Sequence, residues 1–258
     1  MTAMLGNIAA VCCLAAGGAA AAPVYGQGTW ETTLQARDLD GNAANGPEAF
    51  YDTTLNVTWL REGSRRSGNP GFYDWSGAKN WAEFDWYGLT GWRLPAIIDT
   101  GALGCGFIEF SRAGGTDCGY NVLTKSGNLS QYESGQSIFS ELAHLFYITL
   151  GNVAMYAPGT GIGPQDNFGL GNTGSFRNLQ PFGYWSGTEN VLDTGRAYYF
   201  RMNNGGQDIA VKSNLLYAIA VRDGDVLIPT SVPEPQSLLL ALLGLAAAAI
   251  TLLRKTSL

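Results

Sequence analysis

The chain has one histidine and four cysteines among its 258 residues, which leaves few places for proton transfer or thiolate chemistry. His144 sits among Leu142, Leu145 and Phe146, a helical apolar pattern in which a partly buried, hydrogen-bonded histidine is the expected role. No Gly-x-Ser-x-Gly, His-Glu-x-x-His or Walker loop occurs, so the commonest hydrolase and nucleotide-enzyme signatures are missing. Gly159-Thr-Gly-Ile-Gly163 follows no strand pattern and opens no helix, which removes the setting in which such glycines cradle phosphate. Asp38, Asp40 and Asn42 offer oxygens at alternate positions, but no distal bidentate acid closes the loop as in a calcium hand, and the segment reads as a turn. No metal, no cofactor and no catalytic residue is therefore expected. An enzyme built on scattered carboxylates is the weakest surviving reading. Ligand recognition is the stronger one: Trp185 could stack on a sugar ring, while Glu189, Asn203, Asn204 and Asp208 could bond to hydroxyls. The competing assignment puts Trp185 in the core.

The elements that would position these groups can be placed from local signals. Asp74 or Ser76 caps a helix running through Ala78, Trp81, Ala82 and Glu83, with Trp75, Ala78, Trp81 and Ala82 near one face. A second helix should start near Ser137, carry Ile138, Leu142, Leu145 and Phe146 inward, and end at Gly151 or Asn152. Residues 196–202 and 207–212 flank Asn203-Asn204-Gly205-Gly206, a turn able to supply positive φ, and read as a β-hairpin. Residues 215–222 are expected to add a third strand, and residues 55–60 form a strand after the turn at Asp38-Leu39-Asp40-Gly41-Asn42. Residues 156–175 are glycine-dense and aperiodic, the pattern of a long surface loop. The composition, with 12% aromatic and only 14% charged residues and 35 glycines, suits a loop-rich α+β domain built around large rings. A net charge of −6 argues against a nucleic-acid partner.

Both ends of the sequence carry targeting patterns. Residues 8–22 are small and apolar and end in an alanine run, so residues 1–22 are expected to be a signal peptide cut near Ala21 or Ala22, although no Lys or Arg precedes Arg37. Cys12 and Cys13 lack a convincing lipobox. Cys105 and Cys118 remain after cleavage, and an oxidising compartment makes their pairing the expected outcome. The other end reads Val232-Pro233-Glu234-Pro235, then an apolar run within residues 237–253, then Arg254-Lys255. The run is about 16 residues, ~24 Å as a helix, slightly short of a bilayer core. Basic residues directly after it would stay cytoplasmic and leave the rest of the chain outside.

This tail resembles the PEP-CTERM sorting signals of Gram-negative bacteria that make exopolysaccharide. The resemblance implies an exosortase as partner, a membrane-anchored precursor, and release or transfer at the cell surface or into the matrix. The interior motifs Phe50-Tyr-Asp-Thr-Thr-Leu-Asn-Val-Thr-Trp-Leu60, Gly91-Trp-Arg-Leu-Pro95, Ser140-Glu-Leu-Ala-His-Leu145, Tyr184-Trp-Ser-Gly-Thr-Glu189 and Ala218-Ile-Ala-Val-Arg-Asp-Gly224 resemble the Lcl C-terminal-like domain family. That family is a domain of unknown function related to C-type-lectin-like and formylglycine-generating-enzyme-like folds. The resemblance implies a single α+β domain of twisted antiparallel strands and two helices over residues 23–230, with its core at about 51–226, followed by the sorting signal at 231–258. It does not bring the lectins' calcium-dependent sugar site, since no Gln-Pro-Asp, Glu-Pro-Asn or Trp-Asn-Asp triplet is present. The expected function is that of a non-catalytic surface or matrix protein associated with exopolysaccharide or with other matrix proteins. The alternative is a calcium-independent carbohydrate or small-ligand binder. Within the core motifs, Arg93 is expected to stack or pair at a corner, and Arg93 or Arg222 is a candidate partner for Glu189.

Overall fold

The computed structural model describes residues 27–65, 69–101, 112, 117–122 and 140–226. In chain order its elements are α1 (Trp30–Thr33), β1 (Leu34–Arg37), β2 (Ala49–Asp52), β3 (Val57–Leu60), α2 (Trp75–Ala82), β4 (Trp92–Arg93), β5 (Gly119–Tyr120), α3 (Glu141–His144), β6 (Gly183–Glu189), β7 (Arg196–Arg201), β8 (Gly206–Val211) and β9 (Val221–Asp223). The strands make two antiparallel sheets, β1-β2-β3-β9-β4 and β5-β8-β7-β6. The protein is thus mainly antiparallel β with a few short helices. Among the described residues no helix is long and apolar enough to cross a membrane; the span expected at 237–253 lies outside them.

Local chemistry accounts for the elements that sequence patterning placed well. Asp74 caps α2 by accepting from Gly77 N at 2.7 Å, and Ala78 and Ala82 face inward because methyl groups let the helix lie close to the large rings below. The hairpin of β7 and β8 pairs Arg201 with Gly206 across a turn that contains Gly205 at φ +77°. Residues 156–175 form no strand or helix, in line with the loop expected there.

Two elements differ from the expectations. The second helix begins at Glu141 rather than near Ser137, because Ser140 is extended, bridges Ile97, and uses its hydroxyl to cap Ala143 N at 3.2 Å. Its last turn widens into a π-helical stretch, Leu145–Thr149, before Gly151 at φ +67°. A Cβ at Gly151 would lie 2.3 Å from Gly28 N, so the close crossing there admits only glycine.

The third strand beside the hairpin is β6, not residues 215–222. Those residues run between the two sheets: Leu216 bridges Tyr73, Tyr217 bridges Tyr184, and only Val221–Asp223 pairs as a strand, in the other sheet between β3 and β4. The run Leu216–Val221 is buried throughout, so its apolar character reports enclosure on both sides rather than one-faced alternation. Ser64 fixes the segment, its backbone N donating to Ala218 O at 2.7 Å and its Oγ accepting from Ala218 N at 2.8 Å.

The core forms two main clusters on either side of this central segment. One contains Phe50, Trp59, Leu142, Leu145, Phe146, Tyr184, Phe200 and Ile219. The other contains Ala78, Ala82, Trp92, Trp185, Ala197, Ala210 and Leu216. Cys118 is disulfide-bonded; Cys105, its expected partner, lies outside the described residues.

Candidate functional site

The residues named from sequence as ligand contacts divide into three fates. Trp185 is fully buried beneath α2, its Nε1 donates to Tyr73 O at 3.0 Å, and its ring meets Tyr199 edge-on at 6.1 Å. It is a core residue and offers no stacking face. Glu189 is exposed on β6, but its carboxylate is paired with Lys212, not with Arg93 or Arg222. The same ammonium lies 4.3 Å over the Trp75 ring, with Lys79 at 4.9 Å, so that indole face is also covered.

Asn203, Asn204 and Asp208 do come together around the β7–β8 turn. Asn203 is exposed, whereas Asn204 uses its Oδ1 to accept from Gly206 N at 2.9 Å, which closes the turn. Asp208 accepts from Arg201 at 2.9 Å and from Ile209 N at 2.8 Å. Burial pushes its carboxyl above the ordinary carboxylate range, with Ile209 N–H and Arg201 acting the other way. Arg201 also bonds to Tyr199 Oη at 2.8 Å. Tyr199 and Arg201 were missed in the sequence, although their alternation with buried Tyr198 and Phe200 marks them as sharing the opposite face of β7.

Arg93 satisfies the corner role through partners no short motif names. It makes a two-pronged pair with Glu141, at 2.8 and 2.9 Å, and also bonds to Asp223. Glu141 additionally accepts from Ala96 N at 2.6 Å. These bonds tie β4, α3 and β9 together, and the two acids hold the guanidinium protonated against the opposing effect of its own burial.

His144 is buried, and its Nδ1 lies 3.2 Å from Thr149 Oγ1, which in turn donates to Asp52 at 3.2 Å. Burial lowers its pKa from the ordinary 6.5, with the Asp52 charge opposing. Because the folded pKa is the lower one, the unfolded chain takes up a proton that the folded chain refuses as the pH drops through about 6.5. Stability from this group is complete above that pH and is lost below it, by up to ~1.4 kcal/mol per pH unit within the window. Urea midpoints measured between pH 7.5 and 5 should therefore fall more steeply for the natural chain than for His144→Gln.

A cleft not signalled by any motif opens at the end of the first sheet. Its volume is about 220 Å³, and its lining includes Asp40, Asn45, Glu48, Arg61, Tyr87 and Arg177. Leu60 at the end of β3 and Glu62 complete part of the wall. The sequence elements are held by the backbone: Arg61 N donates to Glu48 O at 2.8 Å, and Arg177 N donates to Arg61 O at 2.9 Å. Burial, followed by the Arg177 charge, pulls Arg61 below the ordinary arginine value.

Beside the cleft, ligand oxygens of Asp38, Asp40 and Glu48 lie within 4.8 Å of one another. Glu48, beyond the turn in sequence, is a third carboxylate that the fold brings beside Asp38 and Asp40. Each of the three has a structural duty: Asp38 accepts from Gly41 N at 2.7 Å, Asp40 from Asn42 N at 2.8 Å and Asn45 Nδ2 at 2.7 Å, and Glu48 from Leu39 N at 2.8 Å. These donors close the turn and offset the repulsion between the carboxylates.

No protein-family model matches the chain, and no curated protein or solved structure does either. The functional reading therefore rests on the chain's own residues.

Proposed function

We propose that the chain is an exported, non-catalytic protein of the cell surface or extracellular matrix of a Gram-negative bacterium, sorted by an exosortase and associated with exopolysaccharide or other matrix proteins. The observation that carries this reading is the order of three signals at residues 232–255: the Val232-Pro233-Glu234-Pro235 motif, the apolar run and Arg254-Lys255. Proline on either side of Glu234 keeps the backbone extended and therefore readable by an enzyme just outside the membrane. In finer detail the domain is read as C-type-lectin-like, of the Lcl C-terminal-like kind, with the apolar run as a transmembrane helix. The antiparallel sheets and the two main helical segments suit that reading.

The domain's chemistry agrees with a non-catalytic role. Its one histidine is enclosed and engaged with Thr149, and Trp185, Glu189 and Asp208 have structural partners. A second reading, calcium-independent binding of a carbohydrate or small ligand, is favoured by the polar cleft whose lining includes Glu48 and Arg177.

Changing Pro233, Glu234 and Pro235 together to alanine should leave an uncut, membrane-bound precursor in an exosortase-containing host. Mass spectrometry and membrane fractionation read the result. A variant that matures and leaves the membrane like the natural chain would overturn the sorting proposal.

A further inference from the structure

One face of the first sheet carries both the departure of the C-terminal segment and an exposed aromatic turn. Thr58 in β3 and Arg222 in β9 are cross-strand partners, so their side chains rise on the same face, about 5 Å apart at Cβ. Thr58 Oγ1 donates to Gly224 O at 2.7 Å, where the chain leaves β9. Arg222 Nε donates to Thr90 O at 2.8 Å, where the turn that follows α2 leads into β4. The two backbone segments are therefore anchored side by side. Arg37 then binds both oxygens of Asp225, at 2.6 and 2.7 Å, and Val226 is buried in the core cluster against which Trp86 and Leu89 of the turn also pack.

The turn holds apolar surface outward on a packed base. Phe84 is 61% and Tyr87 45% exposed. The Phe84 ring meets Trp86 edge-on at 5.3 Å, and Trp86 is held by Trp81, with ring centroids 5.2 Å apart and its Nε1 donating to Trp81 O at 3.3 Å. Aromatic rings presented in this way favour the level of lipid headgroups, where an apolar body and a polar edge are both accommodated. Exposed Glu83 and Asp85 flank Phe84, which sets a shallow depth and disfavours an anionic lipid surface. Eleven residues separate Val226 from Leu238, where the apolar run starts. Fully extended they span at most ~40 Å, so a run seated in a bilayer keeps the turn beside it at high effective concentration.

We propose that, in the membrane-anchored precursor, the turn bearing Phe84 and Tyr87 rests in the headgroup layer of a zwitterionic bilayer. The proposal rests on reading the apolar run as a membrane helix. Two rings bury little area, so the contact is weak on its own and is sustained by the tether. It holds the domain against the membrane with Val232-Pro233-Glu234-Pro235 in the short span between them, and it lapses once the tail is cut.

The test places the full chain in phosphatidylcholine nanodiscs and labels accessible rings with hydroxyl radicals, read residue by residue by mass spectrometry. Phe182, 45% exposed and packed against Phe72 and Tyr217 rather than against this turn, is the internal reference. Labelling of Phe84 relative to Phe182 should be roughly threefold lower in the natural chain than in a variant with about 20 Gly and Ser residues inserted between Ser231 and Val232, whose longer tether dilutes the turn at the surface. Phosphatidylglycerol in the disc should raise Phe84 labelling, and Glu83→Gln with Asp85→Asn should remove that dependence on lipid charge. An unchanged ratio on lengthening the tether, or equal protection of both rings, would overturn the docking while leaving the anchor in place. Leu243→Arg with Leu245→Arg tests the anchor separately, since it should free the chain from the disc in size-exclusion chromatography. A hold on the disc that survives this change would show that the tail is not the anchor, and the docking would fall with that reading. The insertion lies beyond Val226, and unchanged Phe182 labelling checks that the fold is kept.

Discussion

Trp185→Ala lowers the unfolding free energy by about 4 kcal/mol, the cost of removing a fully buried indole from a packed site and leaving a cavity. Trp185 is fully buried between β6 and the helix α2, whose Ala78 and Ala82 are too small to refill the space. The substitution also strands Tyr73 O, which accepts from the indole nitrogen. Trp185→Phe keeps most of the apolar contact and is expected to cost less, about 1–2 kcal/mol. Urea denaturation followed by circular dichroism measures both. A Trp185→Ala variant of normal stability that lost only glycan binding would restore the stacking role and contradict the burial assignment.

Glu141→Ala is the second large effect, about 3 kcal/mol, because it leaves the Arg93 guanidinium without its two-pronged partner and also strands Ala96 N–H. Glu141 is 5% exposed on its side chain, so water cannot replace the lost carboxylate fully. Asp223, the other acid on Arg93, is 79% exposed. Asp223→Ala should therefore cost under about 1 kcal/mol, as surface pairs do. Equal losses for the two variants in chemical denaturation would show that burial does not separate them.

Much of the local structure was legible because its causes act over a few residues. The Asp74 cap, the Asn203–Gly206 turn with its flanking strands, the turn at Asp38–Asn42 and the loop at 156–175 each rest on a short window of side-chain and backbone preference. Where partners were distant, the reading was incomplete. The segment 215–222 showed an apolar pattern, but that pattern does not name the sheet it joins. Glu189 carried a charge that needed a cation, and Arg93 and Arg222 were its candidates, whereas the residue that follows β8, Lys212, is the one brought alongside. Trp185 was equally consistent with a platform and a core ring, since an indole in sequence has no orientation.

By itself the sequence determined the charge balance, the scarcity of histidine and cysteine, the order of the Pro-Glu-Pro, apolar and basic segments within residues 232–255, and the short-range caps and turns. All of these are properties of composition or of contiguous residues. Only the tertiary structure decided that β9 lies between β3 and β4, that Trp185 is enclosed, and that Arg93 closes on Glu141. It alone assembled the cleft, from Glu48, Arg61, Tyr87 and Arg177. The physical reason is one of range: turn chemistry and capping are fixed by neighbours along the chain. Burial and charge pairing depend on which remote side chains the packed sheets place within a few ångströms.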